Sequence, residues 1–238
     1  MFGGVYLYFF QRTFIYFPTK KIEHNSFEET FNIDKEKIKV IVINKGNKKA
    51  ILYFPGRSEN VANNIENYRK NFPNNTIYLV NYRSYGGSSG IATEKNLYKD
   101  AKYIFEKISK RHQSIDVIGR SLGTGIATHL ASNSKIRKLI LVTPYDSILN
   151  MARDKYPFYP IKYILKDQYN SINRVKKIVY PTLIFLASED KTVKHKYSKN
   201  LIKEFKPSLL TVKTIANTNH KNIVDKIQYF KNLKEFLK

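Results

Sequence analysis

Ser121 lies at the centre of Gly119-Arg120-Ser121-Leu122-Gly123; the apolar run Ile115 to Ile118 leads into it, and the helix-compatible stretch GIATHLAS follows. That order of strand, G-x-S-x-G and helix is what an exposed nucleophile needs. A serine on a sharp strand-to-helix turn holds a strained backbone. Side chains two residues to either side would strike the neighbouring strand and helix, so glycine is required at both places. The turn also sets the hydroxyl beside the first free N–H groups of the helix, where a developing oxyanion is stabilised. The chemistry implied is acyl transfer through a serine ester. The plainer alternative is a glycine-rich turn that only packs a helix closely on a sheet.

A serine hydroxyl needs a base and a group that orients the base. His220 lies in the loop ANTNH, just past the strand-like run Leu209 to Ile215, and Asp190 lies just past the strand-like run Thr182 to Ala187. The imidazole takes the serine proton near neutral pH and returns it to the leaving group, and the carboxylate holds the ring and stabilises its charged form. The chain order serine, acid, histidine is neither the chymotrypsin-type nor the subtilisin-type order. The other histidines, His24, His112, His129 and His195, do not follow the last strand. Glu189 and Asp146 are the rivals of Asp190. The oxyanion donors expected are the main-chain N–H groups of Leu122 and of Arg57, the latter in Pro55-Gly56-Arg57-Ser58; an ordinary Pro-Gly turn is the alternative. Arg120 and Arg57 could ring the site with positive charge and favour an anionic substrate, or point to solvent or pair with a carboxylate such as Glu59. Tyr156 and Phe158, in the aromatic-proline run 156–160, could wall an acyl pocket or cover a helix.

The elements that must position these residues alternate. Strand-like runs at Ser26 to Ile33, Lys37 to Ile43, Lys49 to Phe54, Thr76 to Asn81, Ile115 to Ile118, Lys138 to Val142, Thr182 to Ala187 and Leu209 to Ile215 are interleaved with helical spacing at Val61 to Asn71, Glu94 to Lys110, Lys196 to Phe205 and Asn222 to Leu237. Such alternation predicts an α/β fold with a mostly parallel sheet, helices on both faces and functional residues at the carboxyl ends of the strands. The insert from Ser147 to Tyr180 is short, so little or no lid is expected. With 238 residues the chain suits one large domain, residues 18–238, preceded by an apolar aromatic segment, residues 1–17.

The chain has no cysteine, which excludes disulfides, thiolate zinc sites and a cysteine nucleophile. The triad chemistry calls for no metal or cofactor. Lysine and arginine number 42 against 19 acidic residues, a formal net charge of +23. AT-rich codons for Lys, Asn, Ile and Tyr are the plain explanation of that excess, attraction to an anionic membrane surface is the alternative, and nucleic-acid binding, the third reading, has no recognisable module to support it. In residues 1–17 the uninterrupted apolar run, Val5 to Phe10, is far short of the ~20 residues that span a bilayer. No basic region precedes it and no small-residue cleavage site follows, unlike a signal peptide. An interfacial aromatic anchor with Lys20 and Lys21 behind it, the tail of a spanning helix, or a helix and first strand packed on the body are the readings left open; Thr13 to Phe17 also reads as a strand.

Six stretches together, QRTFIYFP at 11–18, YFPGRSEN at 53–60, NYRSYGGSSG at 81–90, GRSLGTG at 119–125, ASEDKTV at 187–193 and NTNH at 217–220, resemble the α/β-hydrolase superfamily and more narrowly its Bem46-like, ABHD13/ABHD17-like branch. The resemblance implies a serine hydrolase without a large lid, often anchored by an N-terminal apolar segment, in a family whose members include protein depalmitoylases and proteins classed as peptidases. Pro55, Arg57 and Asn81 replace the histidine, asparagine and aspartate usual at those places. The expected activity is cleavage of ester or thioester bonds of acyl substrates. A peptidase or amidase with the same triad, and a catalytically silent membrane-associated scaffold, are the alternatives.

Overall fold

The computed structural model describes residues 2–238; Met1, the first residue of the apolar segment, lies outside the described residues. The elements in chain order are α1 (Phe2–Ile15), β1 (Phe27–Ile33), β2 (Glu36–Ile43), β3 (Lys49–Phe54), α2 (Ile65–Asn71), β4 (Asn75–Val80), α3 (Glu94–Ser109), β5 (Ser114–Arg120) and α4 (Leu122–Ala131). There follow β6 (Leu139–Val142), α5 (Ile148–Lys155), the single turns α6 (Ile161–Ile164) and α7 (Ile172–Val175), β7 (Thr182–Ala187), α8 (His195–Ile202), β8 (Leu210–Ile215) and α9 (Ile227–Leu237).

The eight strands form one sheet in the order β1-β2-β4-β3-β5-β6-β7-β8. β1 and β2 pair antiparallel with each other, β2 pairs antiparallel with β4, and the remaining pairs are parallel. Successive residues of the central strands alternate between two cores. Ala50, Leu52 and Phe54 of β3 face α3 and α4, while Ile51 and Tyr53 face α2 and α9. Burial on both faces is why these strands read as continuous apolar runs rather than as alternating ones. From β3 the chain steps outward to β4 and then back across to β5. The loops after β3 and β5 therefore leave the sheet in opposite directions and open a crevice between them, the usual ligand position of such sheets. Phe54 of β3 is registered opposite Gly119 of β5, so Pro55 to Asn60 lies against the Ser121 turn.

The aromatic stretch is a helix to Ile15, not a strand from Thr13. Tyr16 N–H still donates to Arg12 O at 2.8 Å, and Gln11, Ile15 and Tyr16 are buried against the body. Val61 to Asn71 opens with a 3-10 turn, and the last helix breaks at Lys226 after a 3-10 turn at Asn222–Asp225. No helix among the described residues is long and apolar enough to cross a membrane.

On α4, His129 stacks on Tyr98 of α3 with ring centroids 3.8 Å apart. Burial, and secondarily the positive charges of Arg174 and Lys102, push its pKa from 6.5 down to about 4. The folded state thus favours a neutral ring. The contribution is complete above pH 6.5 and is lost as pH falls from 6.5 through about 4. His129→Phe, which keeps the stack, is expected to flatten the fall of the urea midpoint across that window; an unchanged slope would refute this origin.

Candidate active site

Ser121 holds φ +48° and ψ −115°, a strained region for a residue with a Cβ. The glycines around it are there for close approach. A Cβ on Gly123 would lie 2.1 Å from Phe54 O, and one on Gly119 would lie 2.4 Å from Gly123 O, main-chain atoms that cannot give way. This contact presses α4 and the Ser121 turn onto β3 and its loop. Ser121 N–H donates to Val142 O at 2.9 Å, which ties the turn to β6 on its other side.

His220 and Asp190 meet Ser121 from the loops after β8 and β7. Asp190 Oδ2 can only accept, so His220 Nδ1–H donates to it, at 2.8 Å. The neutral ring then carries its lone pair on Nε2, which accepts from Ser121 Oγ at 2.8 Å. The other carboxylate oxygen of Asp190 accepts from Thr192 and Val193 N–H at 2.9 and 2.8 Å, and the side chain is 3% exposed. Asp146 is fully engaged elsewhere: it accepts from Ser147 N–H at 2.6 Å and from the amides of Asn150 and Asn200. Glu189 is exposed. Of the other histidines, His195 bonds Ala187 O, and His112 bonds Tyr78 and Asn47.

Leu122 is the first residue of α4, where N–H groups have no intrahelical acceptor. Neither its N–H nor that of Arg57 donates to a protein acceptor among the described residues. Gly56 sits against the serine, with its Cβ direction 3.5 Å from Ser121 Cβ. The loop is held by Glu59, a residue assigned no role of its own in the sequence reading. Its carboxylate accepts from Gly56 N–H at 2.8 Å, from the Tyr53 hydroxyl at 2.7 Å and from the Asn64 amide at 2.7 Å.

Two expected substrate contacts need correction. Arg120 turns away from the cavity: Nη1 pairs with Glu59 at 3.2 Å, and Nη2 donates to Lys221 O at 2.7 Å. As the last strand residue it points to the α2 and α9 side of the sheet, and it braces the Glu59 loop against the His220 loop. Phe158 is 95% exposed, because Pro157 and Pro160 hold the chain in a turn that carries its ring outward. Tyr156 does line the cavity, and so does Arg57. The cavity above Ser121 holds about 280 Å³ and is walled by aliphatic side chains of α5 (Ile148, Met151), α6 (Ile161, Ile164) and α1 (Leu7). The α1 contribution was missed by sequence reasoning, although Leu7, Gln11 and Ile15 already carry helical spacing. No carboxylate lines the cavity among the described residues.

The fold that carries this geometry is shared with known proteins. The model of the alpha/beta hydrolase fold matches residues 49–167. An uncharacterised protein of Mycobacterium tuberculosis is 30% identical over 131 residues, 53% of this chain and 47% of that protein. The human alpha/beta hydrolase domain-containing protein 17C is 28% identical over 172 residues, 69% of this chain and 50% of its own. The chain thus spans about half the length of the curated relatives it matches. Among solved structures, Est1E of Butyrivibrio proteoclasticus, described with bound ferulic acid, superposes with a TM-score of 0.74 at 16% identity, over 88% of this chain and 97% of that one. The Pyrococcus furiosus esterase Pf2001 gives 0.70 at 16% identity, over 92% and 95%. With the family model covering half its length and the same fold in these neighbours, the chain belongs to the alpha/beta hydrolase fold family.

Proposed function

We propose that the chain is a serine hydrolase that cleaves ester or thioester bonds of acyl substrates through an acyl-enzyme on Ser121. The observation that carries this reading is the unbroken hydrogen-bond line from Ser121 Oγ through His220 to Asp190, at the floor of an apolar cavity. Ser121 Oγ attacks the acyl carbonyl as His220 Nε2 takes its proton, and the N–H groups of Leu122 and Arg57 receive the oxyanion. The imidazolium, stabilised by Asp190, returns the proton to the departing alcohol or thiol. Water, deprotonated by the same nitrogen, then frees the acid. The aliphatic wall supports an acyl chain over a peptide, whose amides would lose hydrogen bonds there. A fluorophosphonate probe should label Ser121 and no other residue, as read by mass spectrometry of the digested protein. A folded sample that takes no label would refute the reading.

We further infer peripheral contact with an anionic bilayer. Val5, Tyr8 and Phe9 of α1 and Tyr159 are exposed and line the groove between α1 and α6, and Tyr6 and Phe10 of α1, with Phe158 and Tyr163 of the cap formed by the insert 147–180, are exposed on the same two segments. Lys162 and Lys166 belong to the same region, Lys155 lines the neighbouring cavity above Ser121, and each holds its ammonium over an aromatic ring. None of the three pairs with a carboxylate among the described residues. A second copy docked by two-fold symmetry would oppose these cations to one another, whereas anionic headgroups complement them. The protein should sediment with phosphatidylcholine vesicles containing phosphatidylserine and be released by salt. Phe158→Ser/Tyr163→Ser should weaken that binding. Absence of vesicle binding by the unaltered protein, or a dimer that forms through these residues, would overturn the inference.

A further inference from the structure

α1 lies outside the sheet-and-helix body, yet its inner edge faces the reaction. Leu7, Gln11, Phe14 and Ile15 line the cavity above Ser121. Three sets of contacts hold the helix there. Arg12 pairs with Asp167 at 2.9 Å. Gln11, 6% exposed, donates to Ile164 O at 3.0 Å and accepts from Lys166 N–H at 2.6 Å, so its amide joins α1 to the cap. The third set converges on Arg57. Its Nη1 donates to Phe14 O at 3.0 Å, and its guanidinium lies 4.7 Å from the centre of the Phe17 ring. Its main-chain oxygen accepts from Phe17 N–H at 3.1 Å and from the Tyr85 hydroxyl at 2.6 Å. Arg57, the residue proposed to supply the second oxyanion N–H, is thus fixed, at both its carbonyl and its side chain, by the end of the N-terminal segment.

We propose that α1 completes the active site: Leu7 and Phe14 set the length of acyl chain accepted, and the Arg57 side chain positions the N–H that receives the oxyanion. The proposal rests on the reading of Ser121 as an acylated nucleophile. A helix serving only as a tether needs no apolar edge over the nucleophile and no bond to the loop beside it. The cavity volume, about 280 Å³, is just below the usual range of ligand sites, roughly 300–1,000 Å³, so one enlarged side chain removes room for part of an acyl chain. Arg57 acts through its own backbone, and its side chain is a positioning group rather than a catalytic one.

Leu7→Trp tests the first half and introduces the chain's sole tryptophan, since the sequence has none. Relative to p-nitrophenyl butyrate, kcat/KM for p-nitrophenyl laurate should fall about 10-fold or more, a loss of the size that one unfavourable methylene contact gives. In Leu7→Trp/Ser121→Ala the indole emission should shift when sodium laurate is added. Arg57→Ala should lower kcat for the butyrate ester about 100-fold, the effect of a ~1 Å misplacement, with KM little changed and with partial recovery in Arg57→Lys. An unchanged chain-length preference in folded Leu7→Trp, a silent indole, or an unchanged kcat in Arg57→Ala would overturn the proposal. If the unaltered protein neither turns over esters nor takes the fluorophosphonate label, the serine-hydrolase reading fails; the indole response then still decides whether α1 walls an acyl site.

Discussion

Ser121→Ala is expected to lower kcat on acyl esters by a factor on the order of a million, the loss that follows removal of a triad serine. The substitution deletes the atom proposed to form the acyl-enzyme and leaves the rest in place. The N–H groups of Leu122 and Arg57 and the apolar cavity remain, and such residual apparatus keeps roughly 10³–10⁴-fold over water in related triads. The side chain's one hydrogen bond is to His220 Nε2, a nitrogen that water reaches once the hydroxyl is gone, so the fold should survive. Ser121→Gly separates strain from chemistry. The backbone at φ +48° is costly for any residue with a Cβ, and glycine relieves it. That variant should match alanine in lost turnover while its urea midpoint rises above that of the unaltered protein. Turnover retained in either variant, with the protein verified by mass, would remove Ser121 from the mechanism.

What the sequence displays plainly here is whatever the backbone dictates locally. The parallel centre was legible because β3, β5, β6 and β7 are buried on both faces, and short apolar runs between helical segments have few other uses. Ser121, Asp190 and His220 were legible for the same reason: each follows the carboxyl end of a strand, and the sheet brings those ends together. Side-chain direction was legible only in part. For Arg120 the sequence left open a place at the site or pairing with a carboxylate such as Glu59, and strand alternation decides for Glu59, on the other side of the sheet. Phe158 belongs to an aromatic run of which Tyr156 faces the cavity and Phe158 faces outward, a difference that the two prolines settle only in three dimensions. The N-terminal stretch was ambiguous because aromatic and β-branched residues from Thr13 to Phe17 suit a strand, and tertiary contacts decide otherwise. Gln11, buried in the midst of apolar residues with its amide bonded to the cap, marks the face that those contacts select.

Asp190→Asn is expected to lower kcat about 10⁴-fold with little loss of stability, and the reason is a proton in the wrong place. Thr192 and Val193 direct two N–H donors at Oδ1, so the asparagine must keep its oxygen there and turn its NH₂ toward His220. An amide donor now faces Nδ1, which must accept. The ring proton moves to Nε2, which then donates to Ser121 Oγ instead of taking its proton, and the base is lost while the shape is kept. Asp146→Asn provides the contrast, because that carboxylate accepts from Ser147, Asn150 and Asn200 and touches nothing that reacts. One amide group would oppose two others, so the urea midpoint should fall, by about 1–3 kcal/mol of stability for a buried group left unsatisfied, while kcat of the folded fraction holds. Activity insensitive to Asp190→Asn but lost in Asp146→Asn would transfer the orienting role to the loop after β6. The opposite pattern fixes it after β7, where the hydrogen bond to His220 lies.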